Sequence, residues 1–546
     1  MSFGMAKLLS AGRFRVSAFV IFICYAPSVS RFWFVLGRRK GRQCVHQTTE
    51  VVYLIGYDIG SSSIKAAAVE VESGRTVGVV KYPETEMAIH ALHPDWAEQD
   101  PDDWWNNVCR ATRKLLQDYH ISPGEVKGIG IAYQMHGLVL VDSEMRPLRP
   151  SIIWCDSRAV DIGNDAFEQM GHTACLQSLL NSPGNFTASK LRWVQQNEPE
   201  LYDQAYKFML PGDYIALKLT GQALTTASGL SEGILWDFRK NALSEDLLNH
   251  YGIDQSLAPS VAPTCGMQGN LSTEAAKLTG LAPGTPVTYR AGDQPNNALS
   301  LNTLHPGEVA ATGGTSGVVY GVVDKLIYDE GSRVNSFVHV NHEANKPRIG
   351  VLLCINGAGI QHSWMKHQVA GNSLGYGEME RLAGSVAVGA EGLSILPFGN
   401  GAERMLNNRT VGGHIHHLQF NRHQRPHLFR AALEGVAFAF VYGMNILKEM
   451  GLDVNSIRVG NDNLFQSAIF SSTIASLMGS RIEIFDTTGA VGAAKAAGVG
   501  AGCYGSLEEA LQLASIVGTF EPQPDNGPYL GAYERWEKAL EWMLNY

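Results

Sequence analysis

Two segments of this chain are written in one pattern, and that repetition narrows the folds open to it more than any other feature. "VVYLIGYDIGSSSIKAAAVEV" (51–71) and "GEVAATGGTSGVVYGVV" (307–323) each place an apolar run, a few small residues and a second apolar run in order. Two strand-like runs joined by a tight small-residue turn read as a hairpin. Nucleotide sites of the P-loop and dinucleotide kinds run strand, glycines, helix instead. Neither of those glycine motifs follows a strand anywhere in this sequence. The chain thus predicts two similar halves, each presenting a hairpin with a hydroxyl-rich tip, able to close on a polyphosphate from opposite sides.

At 546 residues the chain is too long for a single core. Between the hairpins, strand-like and helix-like runs alternate, which argues for an α/β architecture. Asp100 and Pro101 mark a helix start before "DDWWNNVCRATRKLLQDY", and "VKGIGIAYQ" reads as a strand. "SKLRWVQQNEPELY" looks helical, and "RPHLFRAALEGVAFAFVYGMNILKEMG" is a long apolar helix with Pro426 near its start and Gly451 past its end. The asparagines of "SIRVGNDN" are expected to cap the helix in "LFQSAIFSSTIASLMG". "AVGAAKAAGVGAG" is helical or tightly packed. The expected division is 51–300 and 301–546.

A formal net charge of −9, with no basic block beyond "GRRKGR" near the start, disfavours nucleic-acid binding. The 8 cysteines form no C-x-x-C pair, a pattern that suits free thiols in a reducing compartment. Residues 1–50 do not match the remainder. Their apolar run from Val16 to Ala26 passes for a secretory signal and is too short to span a bilayer comfortably. They are read as a non-native upstream extension or a targeting leader.

Several residues carry candidate chemistry. Successive backbone N–H groups in the turns Gly60-Ser61-Ser62-Ser63 and Gly313-Gly314-Thr315-Ser316 can cradle phosphate oxygens, although a plain hairpin turn is the bland alternative. Asp58 would repel phosphate unless a cation intervened, so Mg²⁺ is its natural partner; an Asx-type turn is the alternative. Lys65 could neutralise phosphate or be an ordinary exposed strand lysine. Asp293, in "RAGDQPNNALS", sits where the halves meet and could take a hydroxyl proton, as a weak base with a pKa near ~3.9. The competing role is a loop aspartate that caps backbone. His136 in "QMHG" could donate to a sugar hydroxyl or be structural. Asp156 and Arg158 in "WCDSRA" suit polyol hydrogen bonds or a surface ion pair, and Trp96 could stack on a sugar face or pack in the core.

"YDIGSSSIK", "WAEQDPDDWW", "AYQMHG", "WCDSRA", "LTG…ASG" (219–229), "RAGDQPNN", "GEVAATGGTSGVVYG" and "HLFRAALEGVAFA" together, in this order across 51–546, resemble the FGGY carbohydrate kinases. The resemblance implies two actin-like (ribonuclease H-like) ATPase domains flanking a cleft that takes ATP, Mg²⁺ and a sugar. It implies Asp58 and Gly60–Ser63 at the phosphate and metal end, Gly313–Ser316 as the second phosphate loop, and Asp293 as catalytic base. Gly460, Asn461 and Asn463 stand where the family has its glycine-rich adenosine loop. Met135, His136 and Gly137 look most like the xylulose kinases, where this element contacts the ketose; Arg158 would touch sugar if its loop aligns. Gln294 stands where xylulose kinases commonly carry asparagine and is closer to glycerol kinases, so another polyol or ketose stays open. The implied activity is transfer of the ATP γ-phosphate to a ketose hydroxyl, D-xylulose first, in a cytoplasmic monomer or homodimer without membrane or nucleic-acid partners. A non-catalytic nucleotide switch of the actin type would use the same hairpins without needing "QMHG" or an acid at 293.

Overall fold

The computed structural model describes residues 51–371, 374–513 and 515–545. The expected leader, 1–50, lies outside the described residues. Both hairpins form. Tyr53–Ile59 pairs antiparallel with Ile64–Glu70, placing Asp58 opposite Lys65, and Glu308–Gly313 pairs antiparallel with Gly317–Val323. Small and β-branched side chains on both faces leave these strands buried, as a sheet covered on two sides requires.

Each hairpin belongs to a larger sheet, and the two sheets are built alike. The first is five-stranded, in the order Val287–Gly292, Val126–Tyr133, Tyr53–Ile59, Ile64–Glu70, Thr76–Tyr82. Its last three strands form an antiparallel meander and the other two run parallel to Tyr53–Ile59. The second sheet repeats that plan with Ile349–Ile355, Gly317–Val323 and Glu308–Gly313 as the meander and Ser456–Gly460 and Ile482–Phe485 as the parallel pair. Asn335–Val338 and Ile516–Phe520 extend its two edges, making seven strands.

One helix ties the halves together. Gly489–Gly500 follows the Ile482–Phe485 strand of the second sheet in sequence, yet it packs on the first, against Tyr53–Ile59 and Val126–Tyr133. The contact is close enough to demand glycine on the strands. A Cβ at Gly56 would lie 1.9 Å from the Ala490 carbonyl oxygen, and one at Gly130 would lie 2.0 Å from that of Ala493. The Gly/Ala composition of this helix is therefore a docking requirement. Arg425–Glu449, long and apolar enough to cross a membrane by length and composition alone, is a core helix, with Phe429, Val436, Phe440 and Met444 buried.

Local signals held in part. Asp100 caps its helix by accepting the N–H of Asp102, with Pro101 opening the first turn. The expected helix in "SKLRWVQQNEPELY" breaks into Thr187–Asn197 and Pro199–Tyr202, because Pro199 cannot donate a hydrogen bond to continue it. The asparagines do not cap Ala468–Met478; Ser467 does, its Oγ accepting the N–H of Phe470.

Candidate active site

Asp293 opens the helix Asp293–Ser300, directly after the buried strand Val287–Gly292. Strand geometry delivers the carboxyl to the strand's C-terminal end, and it is half-buried there. Burial pushes its pKa up to about 7, and the negative charge of Asp58 adds to the rise; the N–H groups of Gln294 and Asp293 and the Gln294 side chain pull the other way. The expectation from the sequence is a weak base near the ordinary aspartate value of ~3.9. The structure instead raises the Asp293 carboxyl to about 7, the range that suits a general base at neutral pH.

Asp58 ends the first strand of the first hairpin, with the Lys65 ammonium 3.6 Å from its carboxylate across the strand pair. Burial raises its pKa and Lys65 lowers it. A Cβ at Gly489 would lie 3.2 Å from Asp58 Oδ2 and 3.4 Å from Asn296 Nδ2, so the docking helix, Asp58 and Asn296 converge on one point. Asn296 Nδ2 donates to the Gly489 carbonyl at 2.9 Å, while its Oδ1 is buried without a protein partner. Among the described residues no group of three or more His, Cys, Asp or Glu side chains is gathered as a metal cage. Two carboxylates and an orphaned amide oxygen are instead what Mg²⁺ accepts, since it keeps several waters and takes one or two carboxylates plus substrate phosphates. The residues present fit that ion.

His136 stands at φ +62°, a left-handed turn between Met135 and Gly137. Its Nδ1 lies 2.8 Å from the carbonyl oxygen of Glu232. A carbonyl only accepts, so Nδ1 carries the proton. Burial, with the Lys190 charge adding to it, lowers the pKa to about 3, so the ring is neutral. Nε2 is therefore an acceptor, and the expected donation to a hydroxyl is not open to this ring. Phe186 and Phe337 flank the imidazole at 4.6 and 5.6 Å between ring centres, the second of them from the other sheet. Met135 is 4 % exposed and packs beneath the Gly292 turn, while Gly137 lies so close to Pro211 that a Cβ would meet it at 2.6 Å. These two shape the turn, and His136 is the partly exposed residue of the three.

Glu232 lies outside every motif of the sequence. A Cβ at Gly292 would lie 2.1 Å from its Oε2, so its buried carboxyl rests against the turn that carries Asp293. Burial raises its pKa well above the usual carboxylate range, and the charges of Asp293 and Asp213 add to that. The neutral form of Glu232 is thus favoured beneath the site.

Arg158 is not the sugar contact the sequence suggested. Its side chain is 1 % exposed, with Nη2 2.7 Å from Asp156 and Nη1 2.7 Å from Glu98. The guanidinium stacks 3.7 Å from the Trp96 ring centre and 4.8 Å from that of Trp193. Asp156 is itself fully buried and accepts the N–H of Ala97. The conspicuous "WAEQD" and "WCDSR" stretches build one buried ion-pair and aromatic block, and Trp96 covers Arg158 instead of sugar.

In the tip Gly60–Ser63, Gly60 N–H donates to the Ser63 carbonyl, and the buried Gln99 amide holds the Ser61 carbonyl at 2.7 Å. The carbonyls at 61 and 62 are thus tied inward, the second by Met87 N–H. The second tip borders a cavity of about 680 Å³, lined by Gly313, Gly314 and Thr315 together with Asn463, His362 and Tyr376. Ser316 is exposed beside it. The Gly314 and Thr315 carbonyls accept the N–H groups of Gly359 and Ile360, fixing the tip to the start of the helix Gly359–Trp364. Of the expected adenosine loop, Asn463 reaches the cavity wall at φ +53°, whereas Gly460 and Asn461 sit on the strand end beside it, Asn461 N–H bonded to Phe485. His362 and Tyr376 stack at 4.9 Å between ring centres. Their stretch of sequence carries no motif beyond the Gly-Ala-Gly at 357–359 that would single them out.

The chain matches the FGGY family of carbohydrate kinases over both family domains, the N-terminal one at residues 53–300 and the C-terminal one at 309–501. It is 31% identical over 465 residues to the xylulose kinase of Escherichia coli K12, covering 84% of this chain and 92% of that one. With the xylulose kinase of Bacillus subtilis 168 it shares 28% over 490 residues, 87% and 93% of the two chains. It superimposes on the crystal structure of xylulose kinase from Rhodospirillum rubrum with a TM-score of 0.81 at 26% identity, covering 90% of this chain and 100% of that one. A glycerol kinase from Plasmodium falciparum, solved with ADP, shares the fold with a TM-score of 0.81 at 19% identity, over 90% and 98% of the two chains. With both family domains in place and Asp293 at their junction, the chain belongs to the FGGY family of carbohydrate kinases and is an ATP-dependent sugar kinase.

Proposed function

We propose that this kinase phosphorylates D-xylulose at its C5 hydroxyl. The observation that carries the reading is the pairing of a poised base with an acceptor ring: Asp293 near pKa 7, and His136 presenting a bare Nε2 from the Met-His-Gly turn. The names of the relatives at about 30% identity, xylulose kinases in Escherichia coli and Bacillus subtilis, support it.

In this reading a sugar hydroxyl donates to His136 Nε2 and orients the ketose. The C5 oxygen attacks the γ-phosphorus of ATP in line. Its proton passes to the Asp293 carboxylate, the new O–P bond forms, the bond to the β-phosphate oxygen breaks, and ADP leaves. Gly60–Ser63 and Gly313–Ser316 hold the phosphate tail from the two hairpins, with the nucleoside in the cavity beside Asn463 and Tyr376. Asp58 and Asn296 would hold Mg²⁺, which when bound neutralises phosphate charge. Closure of the halves excludes water and so suppresses ATP hydrolysis. An enzyme that consumes ATP has no nucleotide supply outside the cell, which supports the cytoplasm as its location.

The test is a panel of D-xylulose, L-xylulose, 3-keto-L-gulonate, ribulose and glycerol, followed by ADP release and product identification by NMR. L-xylulose and 3-keto-L-gulonate enter because an Escherichia coli relative 30% identical over 506 residues is named for them. Glycerol enters because of Gln294. Preferred turnover of D-xylulose with product phosphorylated at C5 supports the reading; robust activity on glycerol and none on xylulose overturns it.

A further inference from the structure

The turn that presents His136 is gripped by one helix. A non-glycine residue at φ +62° is sterically costly and persists only where its surroundings impose it. Lys190, on Thr187–Asn197, is 0% exposed, and its Nζ donates to the His136 carbonyl at 2.9 Å and to the Ile153 carbonyl at 2.9 Å. The same helix start makes two further contacts. Thr187 Oγ1 donates to the Gly137 carbonyl at 3.4 Å, and Ala188 N–H donates to the Gly233 carbonyl at 3.0 Å, one residue beyond the Glu232 carbonyl that fixes the imidazole tautomer.

Burying an ammonium carries a large desolvation cost, and a buried charge ordinarily has a carboxylate partner. Here Asp156, whose charge acts on Lys190, is already clamped by Arg158 at 2.7 Å. Burial pushes Lys190 down to about 7. What the ammonium does hold is two backbone carbonyls, one from the His136 turn and one from the strand end that leads into the buried Asp156 block. A simple packing position would be filled at lower cost by leucine or methionine.

We propose that Lys190 is a positioning residue for the sugar: it locks the His136 turn in its left-handed geometry, so that Nε2 faces a substrate hydroxyl, without itself touching substrate. This rests on the reading of His136 as the ketose acceptor. Loss of the ammonium takes the donor from the His136 carbonyl, leaves the Ile153 carbonyl with the Asp156 N–H, and frees the turn to relax toward ordinary backbone.

The test uses the full-length enzyme with D-xylulose and ATP. Lys190→Met is expected to raise the KM for D-xylulose about 10- to 100-fold, with the KM for ATP within about twofold and kcat within about threefold. Lys190→Gln, whose amide can still serve one carbonyl, should fall between Lys190→Met and wild type, and it carries the same test if Lys190→Met does not fold. Because Lys190 acts through His136, either substitution placed in a His136→Ala background should change the sugar KM by less than about threefold further. Full persistence of the Lys190 effect in that background, or a parallel rise in both KM values, makes Lys190 a packing residue and overturns the inference alone. An unchanged sugar KM in His136→Ala itself overturns the reading of His136, and the inference with it.

Discussion

Burial lifts the Asp293 carboxyl to a pKa of about 7, and the negative charge of Asp58, at the end of the first hairpin strand, adds to that lift. The two acids are thus electrostatically coupled although 235 positions part them in the sequence (293 − 58).

That coupling predicts a pH profile. Asp293 must be ionised to accept a proton, so kcat/KM of the free enzyme should rise with pH and level off above about 7. Asp58→Asn removes a negative neighbour, which favours the Asp293 carboxylate and lowers its pKa. The residual activity of that variant should therefore show its acid limb at lower pH. A limb left unmoved would mean that the two groups do not interact.

Asp293→Asn should lower kcat by roughly 10²- to 10⁴-fold, the range for a positioned base. It should also stabilise the protein at neutral pH. The unfolded aspartate ionises near ~3.9 and the folded one near about 7. Folding stability is therefore lost as pH rises from the first value through the second, and the penalty is complete above it. Asparagine has no proton to give up. Thermal melts should show a gain for Asp293→Asn at pH 8 that shrinks at pH 5; an equal change at both would contradict the raised pKa.

Arg158→Lys tests the buried ion-pair block. Lysine cannot reproduce the bidentate grip on Asp156, the contact with Glu98 and the stack on Trp96. The expected loss is about 3–5 kcal/mol of stability, as for other broken buried pairs. The sugar KM of the folded fraction should stay near wild type. A large KM change with an unchanged melt would restore Arg158 as a sugar contact.

Gly56→Ala drives a methyl group into the Ala490 carbonyl, where only 1.9 Å is available. The helix must shift, at a cost of about 1–3 kcal/mol or more. Since its first residue lies against Asp58, turnover should fall along with melting temperature. Normal kcat in a destabilised Gly56→Ala would show that the docking helix and the site are independent.

Tyr376→Ala removes the exposed ring that stacks on His362 at the cavity wall. If the nucleoside lies there, the KM for ATP should rise about 5- to 100-fold while that for sugar holds, as expected for a lost stacking surface worth about 1–3 kcal/mol. An unchanged ATP KM would place the nucleoside elsewhere.

What the sequence could determine by itself was whatever is encoded within a few neighbouring residues. The hairpins, with Asp58 beside the first tip, are local: strand alternation and a four-residue small turn fix them, and the paired halves follow from their repetition. The cap at Asp100 and the fit of a Gly/Ala helix for tight packing are of the same kind, and the order of motifs identified the family. Tertiary structure decided what depends on burial and on contacts distant in the chain. It raised Asp293 by taking its carboxyl out of water near Asp58, and it fixed the proton on His136 through a carbonyl 96 residues away. Arg158 became framework because Trp96, Trp193 and Glu98 close over it. Glu232 stands just past the 219–229 motif and Lys190 in a stretch that reads only as a helix, and the packing of Ala227–Glu232 and Thr187–Asn197 around one turn gives each of them its place in the site.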